Sequence, residues 1–214
     1  MKLGLAITTT KERALHPSIS ELAGCDIHVH TDTEGIGVSR SRNNAIKYFY
    51  DRGYTHIALM DDDVRFMFKG GLQYCARVMD EANIHFVGLA NNFQSKHVQT
   101  IGEMSYWSDL IGAFHVFTRR FIDEVGYFNT AYVRYGHEDS EMQYRAKLSG
   151  FAGNVKGGLP SPLRAPFYVL SEDVYSMNPA PSLSSVDKQK YIDYNRPIFD
   201  AAIRSKRIYY PYEQ

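Results

Sequence analysis

Three consecutive carboxylates, Asp61, Asp62 and Asp63, follow directly on the apolar run Ile57-Ala58-Leu59-Met60. A folding core gains nothing from three charges at that point, so either they do chemistry or they form an acidic loop that caps the next helix. Side chains alternate along an extended backbone, which sends Asp61 and Asp63 to one side and Asp62 to the other. Two carboxylates that close raise each other's pKa unless a positive charge sits between them. Hard oxygen donors suit Mg²⁺ or Mn²⁺, ions that keep positions open for phosphates. On this reading Asp61 and Asp63 are metal ligands and Asp62 accepts hydrogen bonds from a sugar or a ribose. A second acidic pair, Glu138-Asp139, stands at the head of a helical pattern. Acids there are ordinary caps, yet a metal-bound leaving group needs a separate general base, and this pair can supply one. A base working near neutral pH also needs partial burial, to oppose the pKa-lowering effect of the helix start. Arg40 and Arg42 open another helical pattern, where backbone N–H groups and guanidinium groups suit a diphosphate; solvated arginines are the plain alternative. Trp107, the one tryptophan, either packs in the core or stacks on an acceptor.

These residues need elements to place them. Residues 3–7 are a short apolar run ending in Thr8-Thr9-Thr10, read as a central strand with a hydroxyl-rich loop, and 26–30 form a second strand ending in a polar loop with Asp32. The runs 57–60, 84–90 and 111–117 read as buried strands, and the stripes at 45–50, 72–79 and 119–125 as helices. A further helix begins near Glu138 or Asp139 and stops at Gly150. Strand and helix alternate, which predicts an α/β domain with a mainly parallel central sheet flanked by helices. Residues 91–103 are polar and irregular and predict a loop over the site. Residues 153–185, rich in Gly, Pro and Ser, predict a loop or lid, mobile without ligand; 186–214 predict a helical, aromatic and basic extension of the same domain. The core is then 1–152.

At 214 residues, one full-sized domain is expected. Twenty-four basic residues balance 24 acidic ones, which gives no electrostatic case for an extended nucleic-acid or membrane surface. Cys25 and Cys75 lack metal-type spacing, no apolar run approaches a membrane span, and no secretory leader is visible, so a cytoplasmic protein is expected. Nothing in the sequence sets an oligomeric state.

The order of these pieces resembles the GT-A glycosyltransferases, and within them the large inverting family usually called family 2. The resemblance covers about residues 3–151. It rests on the opening strand ending in Thr8-Thr9, Asp32 after the second strand, and Gly37-Val38-Ser39-Arg40-Ser41-Arg42-Asn43, similar to the family's G-x-S-x-x-R-N. It continues with Asp61-Asp62-Asp63 as a D-x-D motif, then Val125-Gly126-Tyr127-Phe128 leading to Gly136-His137-Glu138-Asp139 as an ED motif, with Arg145 behind it. The resemblance implies a Rossmann-like single domain in which Thr8 and Asp32 bind base and ribose, Arg42 and Asn43 hold the donor side, and Asp61 touches ribose or sugar as well as metal. It also implies Asp139 as catalytic base, supported by Glu138. Trp107 and His137 are candidates for contact with the acceptor. Two features depart from the family: no histidine follows His137 to complete a metal shell, and the first loop lacks the usual proline.

The function so implied is inverting transfer of a sugar from a nucleotide-sugar, a UDP-sugar in the first instance, to an acceptor hydroxyl of a saccharide or glycan. Arg119-Arg120, the basic tail and the many aromatics keep a hydroxylated modified base in DNA as an alternative acceptor. A nucleotidyltransferase would need a phosphate-gripping loop early in the chain, for which 8–13 is poor. A non-catalytic sugar-binding module is the remaining alternative.

Overall fold

The first apolar run becomes β1 (Leu3–Thr10), which lies between β2 (Asp26–Asp32) and β3 (His56–Asp61), parallel to both. The computed structural model describes residues 1–10, 15, 17–66, 69–90, 96–101, 104–151, 167–169, 175–177 and 185–213. Beyond β3 the sheet continues through β8 (Leu110–Thr118), β5 (Phe86–Ala90), β9 (Phe167–Val169), β7 (Met104–Trp107) and β6 (His97–Ile101). In this eight-stranded sheet only β7 and β8 run against the other strands. The mainly parallel α/β sheet predicted from the alternation is therefore present, with an antiparallel β8 inserted between β3 and β5. A small second sheet pairs β4 (Val64–Phe66) with β10 (Tyr175–Met177).

Alternation along β1 and β3 divides the core. Leu5, Ile7, Ala58 and Met60 face one side, under α1 (Ser18–Leu22) and α3 (Gly71–Ala82), and pack with Ile19, Leu72, Cys75 and Met79. Ala6, Ile57 and Leu59 face the other side. There they meet Ala45, Ile46 and Phe49 of α2 (Val38–Tyr50), Phe121, Ile122 and Val125 of α4 (Arg119–Val125), and Met142 and Ala146 of α5 (Glu138–Leu148). The same parity carries Thr8 and Asp61 onto this second side, one residue beyond its apolar lining.

Helix α5 buries Glu138, Glu141, Gln143 and Arg145 along with Met142 and Ala146, so hydrogen bonds do the seating that a hydrophobic stripe usually does. The Gln143 amide donates to the Leu110 carbonyl and accepts from its N–H, both at 2.9 Å. Fully buried Arg145 pairs with Glu141 at 3.2 Å and donates to the carbonyls of Val125, Tyr127 and Ile208. Helix α6 (Ser185–Ser205) packs on α5.

Two expected loops contain strands. Within 91–103 the chain forms β6, and within 153–185 it contributes β9 to the main sheet and β10 to the small one. β9 and β10, of three residues each, are too short to leave a periodic trace, and the polar composition of 91–103 masks the five-residue β6. The rest of the expected lid lies outside the described residues. Among the described residues no helix is long and apolar enough to cross a membrane.

Candidate active site

Arg42 is the centre of the site. It leaves the first half of α2 with only 4% of its side chain exposed and reaches the end of β3, where Nη2 donates to both Asp61 oxygens at 3.1 and 3.2 Å. Nη1 donates to Asp139 at 2.6 Å and lies 3.5 Å from Glu138, and Nη2 also donates to the Gly112 carbonyl at 3.1 Å. One guanidinium thus ties the acid that ends β3 to the acid pair that begins α5. Its fork geometry allows this where a lysine could not.

Asp139 sits in a notch. Gly112 of β8 lies so close that a Cβ there would overlap the Asp139 carboxylate. The Gln143 pairing with Leu110 sets the register of α5 on β8 that brings the two together.

The acids respond differently to this enclosure. Burial works against the charge on Asp139, but Arg42 beside it outweighs burial and holds its pKa below the usual carboxylate value. The partial burial expected to raise the base's pKa is present and overruled. Glu138, with 3% of its side chain exposed, is pushed up to about 8 by burial and by the Asp139 charge, against the pull of Arg42. Asp61 is raised by its enclosure, with Arg42 opposing and Asp139 adding to the rise. The two carboxyls titrate as a coupled pair, with Glu138 the one whose pKa is raised and Asp139 the one whose pKa is lowered.

The remaining candidates are placed as follows. The Thr8 hydroxyl lies 3.5 Å from Asp61. Asp62 lies on the side opposite Asp61, as alternation predicts, and there it is buried and accepts from the Thr9 hydroxyl at 2.6 Å. Beyond Asp61 the backbone turns through Asp62 and Asp63 into β4. Asp63 stands beside Asp61 closely enough to raise its pKa.

Asn43 is fully buried and clasps Phe128, donating to its carbonyl and accepting from its N–H, both at 2.8 Å. Both ends of its amide are used there. Asp32 binds its own loop, accepting from the N–H groups of Glu34, Gly35 and Ile36 on one oxygen and Gly37 on the other. Burial disfavours its charge, but those four donors prevail and lower its pKa. The His137 ring turns away from the acids and stacks on Phe199 of α6, with centroids 4.9 Å apart. Trp107 packs half-buried on the second core cluster, edge-on to His97.

Three residues carry the site without a signal in the sequence. Gly112 has no motif around it. His115, on β8, is fully buried near Asp139, and neither ring nitrogen has a hydrogen-bond partner among the described residues. Burial lowers its pKa to about 4, so it is neutral at neutral pH. Its one trace was a histidine inside an apolar run. The third is Asn195 of α6, taken up below.

No family model and no curated protein matches the sequence. Solved structures do. GalNAc-T7 with UDP, GalNAc and Mn²⁺ aligns at a TM-score of 0.53 and 10% identity over 94% of this chain and 49% of that one. S. aureus TarS 1–349 in complex with UDP aligns at 0.52 and 13% identity over 90% of this chain and 70% of that one. The fold is that of the GT-A glycosyltransferases. In this GT-A fold Asp61, Arg42 and the Glu138-Asp139 pair meet at the ends of parallel β1 and β3, the position where open α/β sheets bind ligands.

Proposed function

We propose that the chain is a glycosyltransferase that moves a sugar from a nucleotide-sugar, a UDP-sugar in the first instance, to an acceptor hydroxyl, with inversion. The observation that carries this reading is the Arg42-centred cluster, which joins a D-x-D-like strand end to an ED-like helix start within a GT-A fold.

The donor set suits a divalent cation of the Mg²⁺ or Mn²⁺ kind. Asp61 and Asp63 are hard oxygen donors whose charges act on one another, and no group of three or more His, Cys, Asp and Glu placed to hold a metal occurs among the described residues. A partial shell of two carboxylates fits an ion that keeps other positions for diphosphate oxygens. Bound there, it would neutralise charge on the leaving nucleoside diphosphate.

The protein's own groups divide the remaining work. Asp139, ionised, takes the proton of the acceptor hydroxyl as that oxygen attacks the anomeric carbon from the face opposite the diphosphate. Glu138, protonated, supports it, and two acids whose environments push their pKa values apart are the usual mark of a base with its partner. Arg42 holds both ends of the site in register and supplies positive charge next to the departing diphosphate. Thr8 and Asp32 flank the nucleotide. Saccharides and glycans are the acceptors favoured.

The test is a donor screen by release of free nucleoside diphosphate, with Mg²⁺ or Mn²⁺, on saccharide acceptors and on DNA with hydroxylated bases. Turnover of a nucleotide-sugar that is abolished in Asp63→Ala, with the fold intact, is the expected result. No release with any donor, or full activity in excess chelator, refutes the reading.

A further inference from the structure

Helix α6 lies outside every motif discussed so far, yet three of its side chains, Ile192, Asn195 and Phe199, bear on the segment that delivers the acid pair. They are three and four residues apart, which is one face of a helix. Gly136 runs so near that a Cβ there would lie 2.9 Å from Ile192 Cγ1. Phe199 stacks on His137. Asn195, fully buried, accepts from the Val133 N–H at 3.0 Å and donates to the carbonyls of Val133 and Tyr135 at 2.9 Å and of Gly136 at 3.1 Å.

The segment needs holding. Arg134, Gly136 and His137 have φ of 56°, 102° and 75°, left-handed values that L side chains rarely adopt and that a short loop does not keep unaided. This winding turns three backbone carbonyls toward one point; that of Val133 also accepts from the Tyr135 N–H at 2.7 Å, while the buried Gly136 carbonyl and the part-buried Tyr135 carbonyl have Asn195 as their donor. A covering helix could have been seated with apolar residues alone. A fully buried amide serving four backbone groups is there to fix a conformation. The segment also touches the other half of the site, because the Arg134 carbonyl accepts from the Val38 N–H at the start of α2, the helix that carries Arg42.

We propose that Asn195 is a positioning residue for the acid pair. With Ile192 and Phe199 it locks residues 133–137 in their left-handed path, and so sets where Glu138 and Asp139 leave the start of α5 relative to Arg42 and Gly112. This rests on the glycosyltransferase reading for its catalytic consequence, but not for its structural one.

The experiment compares Asn195→Ala and Phe199→Leu with the wild type in hydrogen exchange, in affinity for UDP with Mn²⁺, and in turnover of the best donor from the screen. Exchange should rise at 133–141 and stay unchanged in β1 and β3. Turnover should fall about tenfold to a hundredfold, the scale of a small misplacement of a reacting group, while UDP affinity stays within about twofold. Unchanged exchange at 133–141, unchanged turnover, or a loss of UDP affinity as large as the loss of turnover would each overturn the proposal. Should Asn195→Ala fail to fold, Phe199→Leu, which keeps the amide and loosens only the His137 stack, decides by the same three measurements. If the wild type turns over no donor, the glycosyltransferase reading fails, and the exchange data still decide whether Asn195 holds the segment.

Discussion

Replacing Arg42 by methionine keeps much of the side-chain volume and removes the guanidinium that contacts Asp61, Glu138 and Asp139. Breaking a buried ion pair from one side costs about 3–5 kcal/mol, because the charge left behind is uncompensated. The lower end applies here. Asp61 is 33% exposed and can turn to water, and Glu138, with its pKa near 8, is already mostly neutral at pH 7. That leaves Asp139 as the main debtor, and a loss of about 3 kcal/mol at neutral pH, or roughly 6–12 °C in Tm for a chain of this size. The pH dependence has a definite sign. In the wild type the folded pKa of Asp139 is below its unfolded value, so its contribution is full above the unfolded value and is lost as pH falls through the folded one. In Arg42→Met the folded value rises above the unfolded one, so stability falls as pH rises from about 4. Between pH 7.5 and pH 4.5 the variant's trend closes the gap, since the wild-type contribution is lost only below about pH 4. Urea unfolding followed by circular dichroism at about pH 7.5 and about pH 4.5 should show the deficit shrinking to about 1 kcal/mol. A deficit equal at both pH values, or a variant as stable as the wild type at pH 7.5, would refute the argument that Arg42 neutralises buried acids.

Gly112→Ala should force the Asp139 carboxylate from its notch, costing about 1–3 kcal/mol by overpacking and on the order of 10²-fold in turnover; a variant with wild-type melting and wild-type release of nucleoside diphosphate would show that the notch is dispensable. Glu138 has a raised folded pKa, so its carboxyl opposes folding increasingly as pH rises from about 4.5 through about 8. Glu138→Gln should therefore gain stability relative to the wild type between pH 5 and pH 9, and denaturation curves at both ends that show no relative gain would contradict the assigned proton. Asp139→Asn should lose on the order of 10²-fold or more in turnover with nucleotide affinity retained, and near-normal turnover would reduce the ED pair to a helix cap.

The sequence discloses those parts of the molecule that repeat or cluster. Buried strands at 57–60 and 111–117 and the helix opening at Glu138 follow from apolar runs and capping patterns, and the structure places β3, β8 and α5 there. The resemblance brought Arg42, Asp61, Glu138 and Asp139 onto one page, and the structure brings them into contact. Asp62 takes the side that strand parity gives it, but the Thr9 hydroxyl that meets it there comes from β1, 53 residues away, which no local pattern shows. Asn43 and His137 sit inside motif stretches, yet one clasps backbone and the other stacks on α6, a distinction that depends on partners 85 residues away and on a helix with no local signature. Gly112 and Asn195 could not be found by any local rule. Each matters only through the residue that packs against it from a distant part of the chain.

The loop that Asp32 gathers has a bearing on how quickly and how tightly a ligand can be held. Four backbone amides converge on one carboxylate, so residues 34–37 have their shape before any ligand arrives. Ordering a residue's backbone costs about 1–2 kcal/mol, and here that entropy is surrendered during folding rather than at encounter. A ligand that docked against this edge would meet a fixed surface, its association would not wait for a rare loop conformer, and differences in affinity among related ligands would reside in their dissociation rates.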